Sequence, residues 1–283
     1  MSEFDLEKRT KEKVEEIAGS IKMQWDTPTY DRKILLLVEN DNDRRCYFKM
    51  FNTDRVGLKT SQGCNCMRRL FDTLQVYGIP NFAIQDSDFA RVCGVTPHAA
   101  NYFFTDFHDH EMMCLSDDEV MKAIFVNLAI EYDKSLVDGV FDDLKTLSLF
   151  KWYNYSNHLN LNFKGYNPRG KKRQDLCSFV AIHNAVMPQS PNSKVKSIKE
   201  SEVAAFVRMQ PKYNRYEVTN GHDFLAILAQ RISEKHIELK NLSSDYIRPI
   251  IYTCFTFERF VNTKLYQRIS SWAAEAASDL FAA

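Results

Sequence analysis

Ile34-Leu35-Leu36-Leu37-Val38 is a run of five apolar residues that ends at once in Glu39, with Asn40, Asp41, Asn42 and Asp43 behind it. A short run that is apolar at every position has no wet face. It predicts a strand buried on both sides, as in a parallel sheet. Upstream, residues 1–30 read as a polar helical arm over 4–23, with sparse apolar positions at Phe4, Val14, Ile17 and Ile21 and a turn at Thr27-Pro28-Thr29. Downstream, a helix-like stretch over 44–51 leads to a strand at 56–60, a turn at Gly63 and a helix over 67–77. Gly78-Ile79-Pro80 stops that helix, and further strands follow at 81–85 and 101–105. Ser116-Asp117-Asp118-Glu119 has the form of a capping box that opens a helix to about residue 130. This alternation predicts an α/β domain over residues 31–134, a mainly parallel sheet flanked by helices. Residues 135–283 read as a mostly helical part, interrupted by a polar, aromatic and basic insertion over 152–174. Its closing helices are expected at about 224–235, 243–265 (broken by Pro249) and 268–280.

Composition narrows the function classes. The 283 residues carry 37 Lys+Arg against 37 Asp+Glu, with 45% hydrophobic and 26% charged residues, which is ordinary globular usage. No run approaches the roughly 20 apolar residues of a membrane-spanning helix, so no membrane is expected. The alternating charges of Glu3, Asp5, Glu7, Lys8 and Arg9 leave no place for an export signal. Seven scattered cysteines fit a reducing cytoplasm. Cys64 and Cys66 stand too close for a zinc knuckle and lack a second pair. With no net charge, any nucleic-acid contact must come from a local basic patch. No G-x-x-x-x-G-K-[ST] stretch is present, so the chain brings no P-loop of its own.

Acids cluster where chemistry is expected. In open α/β sheets, ligands sit beyond the carboxyl ends of the strands. Glu39 follows the first strand, with Asp41 and Asp43 close behind. Asp86 and Asp88 follow the strand at 81–85, and Asp106-Phe107-His108-Asp109-His110-Glu111 follows the next. Carboxylates that converge from three strands repel one another unless a proton or a cation lies among them. Oxygen donors without thiolates suit Mg²⁺ or Mn²⁺.

Leu36-Leu37-Val38-Glu39-Asn40-Asp41-Asn42-Asp43 resembles the first motif of the Toprim family, with Asn40 where that family has Gly. Ala83-Ile84-Gln85-Asp86-Ser87-Asp88-Phe89 resembles its D-x-D motif, with Gln85 in place of an apolar residue. Phe104-Thr105-Asp106-Phe107-His108-Asp109-His110-Glu111 and Asn220-Gly221-His222-Asp223-Phe224-Leu225 are similar to stretches of an uncharacterised-domain branch of Toprim proteins related to nucleases of the OLD type. Members of that branch stand beside ABC- or AAA-type ATPases in anti-phage systems such as PARIS. The resemblance implies a metal-dependent nuclease acting on DNA or RNA, possible tRNA included, as a toxic effector that a partner ATPase restrains. It implies that Asp86 and Asp88 hold Mg²⁺ and that Glu39 is a ligand or general acid/base. Asp109 and Glu111 are candidates for a second ion or for structural, helix-entry roles, and His108 for a general acid, with its ordinary pKa near 6.5, or for a hydrogen-bonded loop histidine. Asp43, Asp106, His222 and Asp223 would support the ligands from behind, although Asp223 reads equally well as a helix cap and His222 as a partner for a backbone carbonyl.

Arg169, Lys171, Lys172 and Arg173 form the densest basic stretch. They follow Trp152, Tyr153, Tyr155, Phe163 and Tyr166, an interleaving that suits single-stranded or looped nucleic acid. A non-catalytic Toprim-like module that docks nucleic acid or a partner is the alternative, and a homodimer is compatible with either. A primase- or topoisomerase-like transfer enzyme is disfavoured by the absence of room for a strand-passage domain and of a zinc-binding cysteine set.

Overall fold

In a computed structural model, which describes residues 3–27, 29–30, 33–163, 165–275 and 279–282, the apolar run of residues 34–38 is an inner strand. Strands β1 (Ile34–Val38), β2 (Val56–Thr60), β3 (Asn81–Gln85) and β4 (Tyr102–Phe104) form one sheet in the order β2-β1-β3-β4, every pairing parallel. Leu36 lies opposite Leu58 on one side and Phe82 on the other, and residues 35–38 are closed to solvent. The architecture is therefore α/β, an all-parallel sheet flanked by helices, with a helical C-terminal part. Pro28 of the expected Thr27-Pro28-Thr29 turn, the first two residues of the arm and the side chains of Phe4 and Cys64 fall outside the described residues.

Alternate strand residues point to opposite faces. Leu35, Leu37, Ala83 and Tyr102 meet Val14, Ala18 and Ile21 of the helix Glu3–Trp25, together with Met67, Leu70, Phe71 and Leu74 of the helix Cys64–Val76. The sparse apolar stripe of the N-terminal arm thus finds its partner within the chain. On the other face, Phe82 and Phe103 meet Trp272, with ring centroids 5.3 and 5.9 Å apart. Phe51 contacts the rings of Phe82, Phe260 and Phe281. The helices Phe257–Val261 and Lys264–Glu275 supply this cover, and Phe51 and Phe281 form an antiparallel bridge.

The chain condenses into two units. The sheet unit comprises residues 1–87, 96–106 and 255–283; a helical unit comprises 88–95 and 107–254. These lines differ from the stretches 1–30, 31–134 and 135–283 read from sequence, because the last helices join the sheet. The helical unit is built on the 23-residue helix Lys134–Ser156, whose Trp152 lies in a cluster with Phe89 and Val218. Phe141 of the same helix meets Tyr216 and Phe224.

Local boundaries shift for identifiable reasons. The helix after residue 116 runs Asp118–Asn127 and is capped by Asp117, whose Oδ1 accepts from Glu119 N at 2.9 Å. Ser116 instead donates its hydroxyl to Met113 O. Pro249 lies inside the helix Ser244–Cys254, and the break falls after Cys254. Among the described residues, no helix is long and apolar enough to cross a membrane.

Phe51 is buried and joins three rings on the sheet's second face. Phe51→Ala is expected to cost about 3–5 kcal/mol of stability, read as a lower urea midpoint in equilibrium unfolding.

Candidate functional site

A crevice opens at the carboxyl edge of a parallel sheet where successive connections leave in opposite directions. In the sheet unit the chain runs from β1 outward to β2 and then crosses to β3 on the other flank, so β1 and β3 border that point. Glu39 follows β1 directly and Asp86 follows β3 directly. Strand pairing alone therefore brings these two acids to one edge.

Asp43 joins them through helix-capping chemistry. Asn40, in extended conformation, caps the helix Asp41–Tyr47: its side-chain oxygen accepts from Asn42 N at 2.8 Å and Asp43 N at 3.3 Å. Asp43 Oδ2 accepts in return from Asn40 N at 3.0 Å. The reciprocal box fixes Asp43, which is 2% exposed. One carboxylate oxygen of Asp43 and one of Asp86 lie within 4.8 Å of each other. Two unit charges at about 5 Å repel by about 3 kcal/mol at an effective dielectric of about 20. As hard oxygen donors at this spacing, the two carboxylates could hold Mg²⁺ or Mn²⁺. Asp41 points away; its side chain is 77% exposed and stands 3.7 Å from Arg44.

Asp106 does different work in the same unit. Its Oδ2 accepts from Lys264 N (2.7 Å) and Leu265 N (3.1 Å), and its Oδ1 accepts from Arg268 Nη2 (2.9 Å). It satisfies the orphan N–H groups at the start of the helix Lys264–Glu275. The support for metal ligands expected of it is replaced by this tie between the end of β4 and the last helix.

The remaining sequence candidates belong to the helical unit. Asp88 has a left-handed backbone (φ +45°), a region that Asp tolerates better than most residues. Its N–H donates to His108 O at 2.6 Å, and His108 Nδ1 stands 2.9 Å from Asp88 O. A carbonyl can only accept, so Nδ1 carries the proton of the neutral ring. Burial, then the charge of Lys151, pushes His108 down to about 3, against the pull of the Asp88 and Glu217 carbonyls. Near pH 7 His108 is therefore held neutral and shielded, with its Nδ1–H spent on the Asp88 carbonyl. Burial raises the Asp88 carboxyl to about 6, with Lys151 pulling the other way. Because 49% of that side chain is open to solvent, water screens much of this shift.

Asp109 holds two segments together. Its Oδ1 accepts from Met112 N (2.9 Å), capping the helix His110–Leu115, and its Oδ2 accepts from Gly221 N (2.6 Å). The approach is so close that a Cβ on Gly221 would stand 2.5 Å from Asp109 Oδ1 and 2.7 Å from Glu111 Cβ. Glu111 is fully buried; its Oε1 meets Arg248 Nε at 3.3 Å and His222 Nε2 at 3.6 Å, and its Oε2 meets His110 Nδ1 at 3.3 Å. Arg248 Nη2 also lies 2.6 Å from His222 Nδ1. A guanidinium only donates, so His222 Nδ1 is the acceptor in this contact. Asn220, not Asp223, caps the helix Gly221–Lys235. Asp223 is instead paired with Lys151. Asp109 and Glu111, candidates for a second ion, are thus enclosed by bonds of their own unit.

Arg169, Lys171, Lys172 and Arg173 are exposed. Lys151 and Arg248, which neutralise Asp223 and Glu111, carry no local signal: each is one basic residue on a helix, far in sequence from its acid. Comparison with family models, curated proteins and solved structures gave no match for the chain.

Gly221→Ala is expected to destabilise the protein by about 1–3 kcal/mol through overpacking against Asp109 and Glu111, seen as a lower Tm. His108 is neutral in the folded state down to about pH 3, while an unfolded histidine takes up a proton below about 6.5. Its contribution is complete above about 6.5 and is lost as pH falls from there toward 3. The raised Asp88 works in the opposite sense, contributing most at low pH and fading as pH rises toward about 6. In urea unfolding between pH 7 and pH 4, His108→Gln should lose less stability on acidification than the wild type does.

Proposed function

We propose that this chain is a divalent-metal-dependent nuclease that hydrolyses phosphodiester bonds of DNA or RNA. One observation carries the reading: Glu39 and Asp86 end adjacent parallel strands at the switch point of the sheet, where an oxygen of Asp43 lies within 4.8 Å of one of Asp86. The resemblance of residues 36–43 and 83–89 to the two acidic Toprim motifs supports the same assignment. It also supports a cytoplasmic toxic effector of anti-phage defence, held in check by an ABC- or AAA-type ATPase.

Asp43 and Asp86 are the residues to hold Mg²⁺ or Mn²⁺. The bound ion would neutralise phosphate charge and make a water molecule acidic enough to attack near neutral pH. The chain's own part begins with the capping box, which keeps Asp43 in place without a ligand and so spares the site the cost of ordering it. Glu39, only partly buried at the end of β1, is the base that takes the proton of the attacking water on its carboxylate. The Nδ1–H of His108 is engaged by the Asp88 carbonyl, so the proton for the leaving oxygen is assigned to solvent in this reading.

The test uses the purified full chain on duplex DNA, single-stranded DNA and tRNA, with Mg²⁺, Mn²⁺ or EDTA. Cleavage is expected with metal and not with EDTA. Glu39→Gln and Asp86→Asn should each lower the rate roughly a hundredfold or more, while the exposed Asp41→Ala leaves it unchanged. Cleavage that is equally fast in both variants, or no cleavage with either metal, would replace the enzyme by a binding module.

A further inference from the structure

The chain as a whole is neutral, yet its charge is not evenly spread. Between residues 157 and 199 stand eight Lys or Arg and a single acid, Asp175, a surplus of seven positive charges within 43 residues. This stretch lies wholly in the helical unit. From it we infer a phosphate-reading surface for double-helical nucleic acid, made by Arg169, Lys171 and Lys172, with Lys194, Lys196 and Lys199 as a second basic group of the same stretch. The inference goes beyond the nuclease reading and does not depend on it.

The basic turn is held, not loose. Gly170 N donates to Gln230 Oε1 at 2.8 Å, and Gln230 Nε2 donates to Lys171 O at 3.3 Å, so one side chain grips the turn from both sides. Gly170 has φ +79°, a backbone that favours glycine and lets the chain reverse there. Arg173 follows at the start of the helix Arg173–Cys177, and its Nε donates to the buried Asp143 Oδ1 at 2.7 Å. Arg231 takes the other oxygen of Asp143, with Nη2 at 2.6 Å and Nε at 2.9 Å. Asp143 thereby consumes Arg173 as a fastener, which sets Arg173 apart from its three neighbours. Arg169, Lys171 and Lys172 stay exposed, with no ion pair to a carboxylate among the described residues. Backbone order of this kind lowers the entropy lost when a partner binds.

The second group is tied to the same stretch of chain. Lys194 N donates to Leu159 O at 3.0 Å, and Asn162 N donates to Ser190 Oγ at 2.8 Å. Lys194, Lys196 and Lys199 are exposed on that loop.

The occupant follows from what this face lacks. Single strands are gripped by aromatic platforms on which bases stack. Here Trp152 and Tyr166 are buried, and Tyr153 and Phe163 are half-buried against Phe206 and Phe150. Of the five interleaved aromatics, two are buried and three, Tyr155 against Phe89 included, are half-buried against other rings, so none stands out as a free stacking platform. Cations without stacking surfaces read phosphates alone, and a duplex offers the densest line of them, about one charge per 1.7 Å of axis.

The test measures binding of the full chain by fluorescence anisotropy in EDTA, where no cleavage can occur. A nuclease assignment that fails therefore leaves this result intact. The probes are a duplex DNA, a duplex RNA and a single-stranded DNA of equal length, titrated across salt concentrations. Both duplexes should bind more tightly than the single strand. The triple substitution Arg169→Ser, Lys171→Ser, Lys172→Ser should weaken duplex binding roughly tenfold or more at low salt. It should also flatten the slope of log K against log salt by about 2–3. Lys8→Ser with Lys11→Ser, on the exposed face of the N-terminal helix, should leave affinity and slope unchanged; equal loss there would mean that charge anywhere suffices and would overturn the assignment. Tighter binding of the single strand, or an unaltered slope in the triple variant, would do the same.

Discussion

Everything in the sheet unit depends on the parallel pairing of β1 between β2 and β3. An inner strand has both rows of its N–H and C=O groups satisfied by neighbours, so it can be apolar at every position without leaving a buried polar group unmet. The same pairing forces direction: β1 and β3 must finish at the same edge. Glu39 and Asp86 come to one edge because hydrogen bonding leaves their strands no other way to run. The acid pair is thus a by-product of satisfying main-chain groups, tightened by one helix cap at Asn40.

The helical unit is organised by the opposite means. There, buried or partly buried acids are matched by cations distant in sequence: Glu111 by Arg248, Asp143 by Arg173 and Arg231, Asp223 by Lys151. Removing the cation from a pair such as Glu111–Arg248 leaves a carboxylate stranded in a poorly solvated place, which costs far more than the pair contributes over apolar packing. These contacts specify which helices lie side by side. Asp109 belongs to the same class, with backbone N–H groups in place of cations.

The sheet was legible because its signal is local. Five apolar residues, a Gly-Pro stop and the alternation of periods are enough to place β1, β2 and β3 at their observed bounds. Glu39 and Asp86 were legible for the same reason, since strand ends follow from strand positions. What sequence could not supply was long-range pairing. Asp43 reads from sequence as a support behind the ligands, and only its capping bond shows what fixes it beside Asp86. His108, in a run of acids, reads as a titrating residue, whereas burial and Lys151, 43 positions away, hold it neutral. The aromatics of residues 152–166 read as a stacking surface because composition does not say which way a ring faces. Gly221 and Asp223 looked like parts of a chemical motif; one is there for want of a side chain, and the other answers a lysine.

The bridge from Phe51 to Phe281 has a consequence for how the chain is made. The sheet's second aromatic face is complete only when residues 255–283 arrive, about 150 residues after β4 has left the ribosome. At translation rates of about 5–20 residues per second, Phe51, Phe82 and Phe103 wait on the order of ten seconds without their native cover. For that interval the nascent polypeptide displays an apolar surface whose shield is still unmade, and the arrival of its closing helices is the step that covers it.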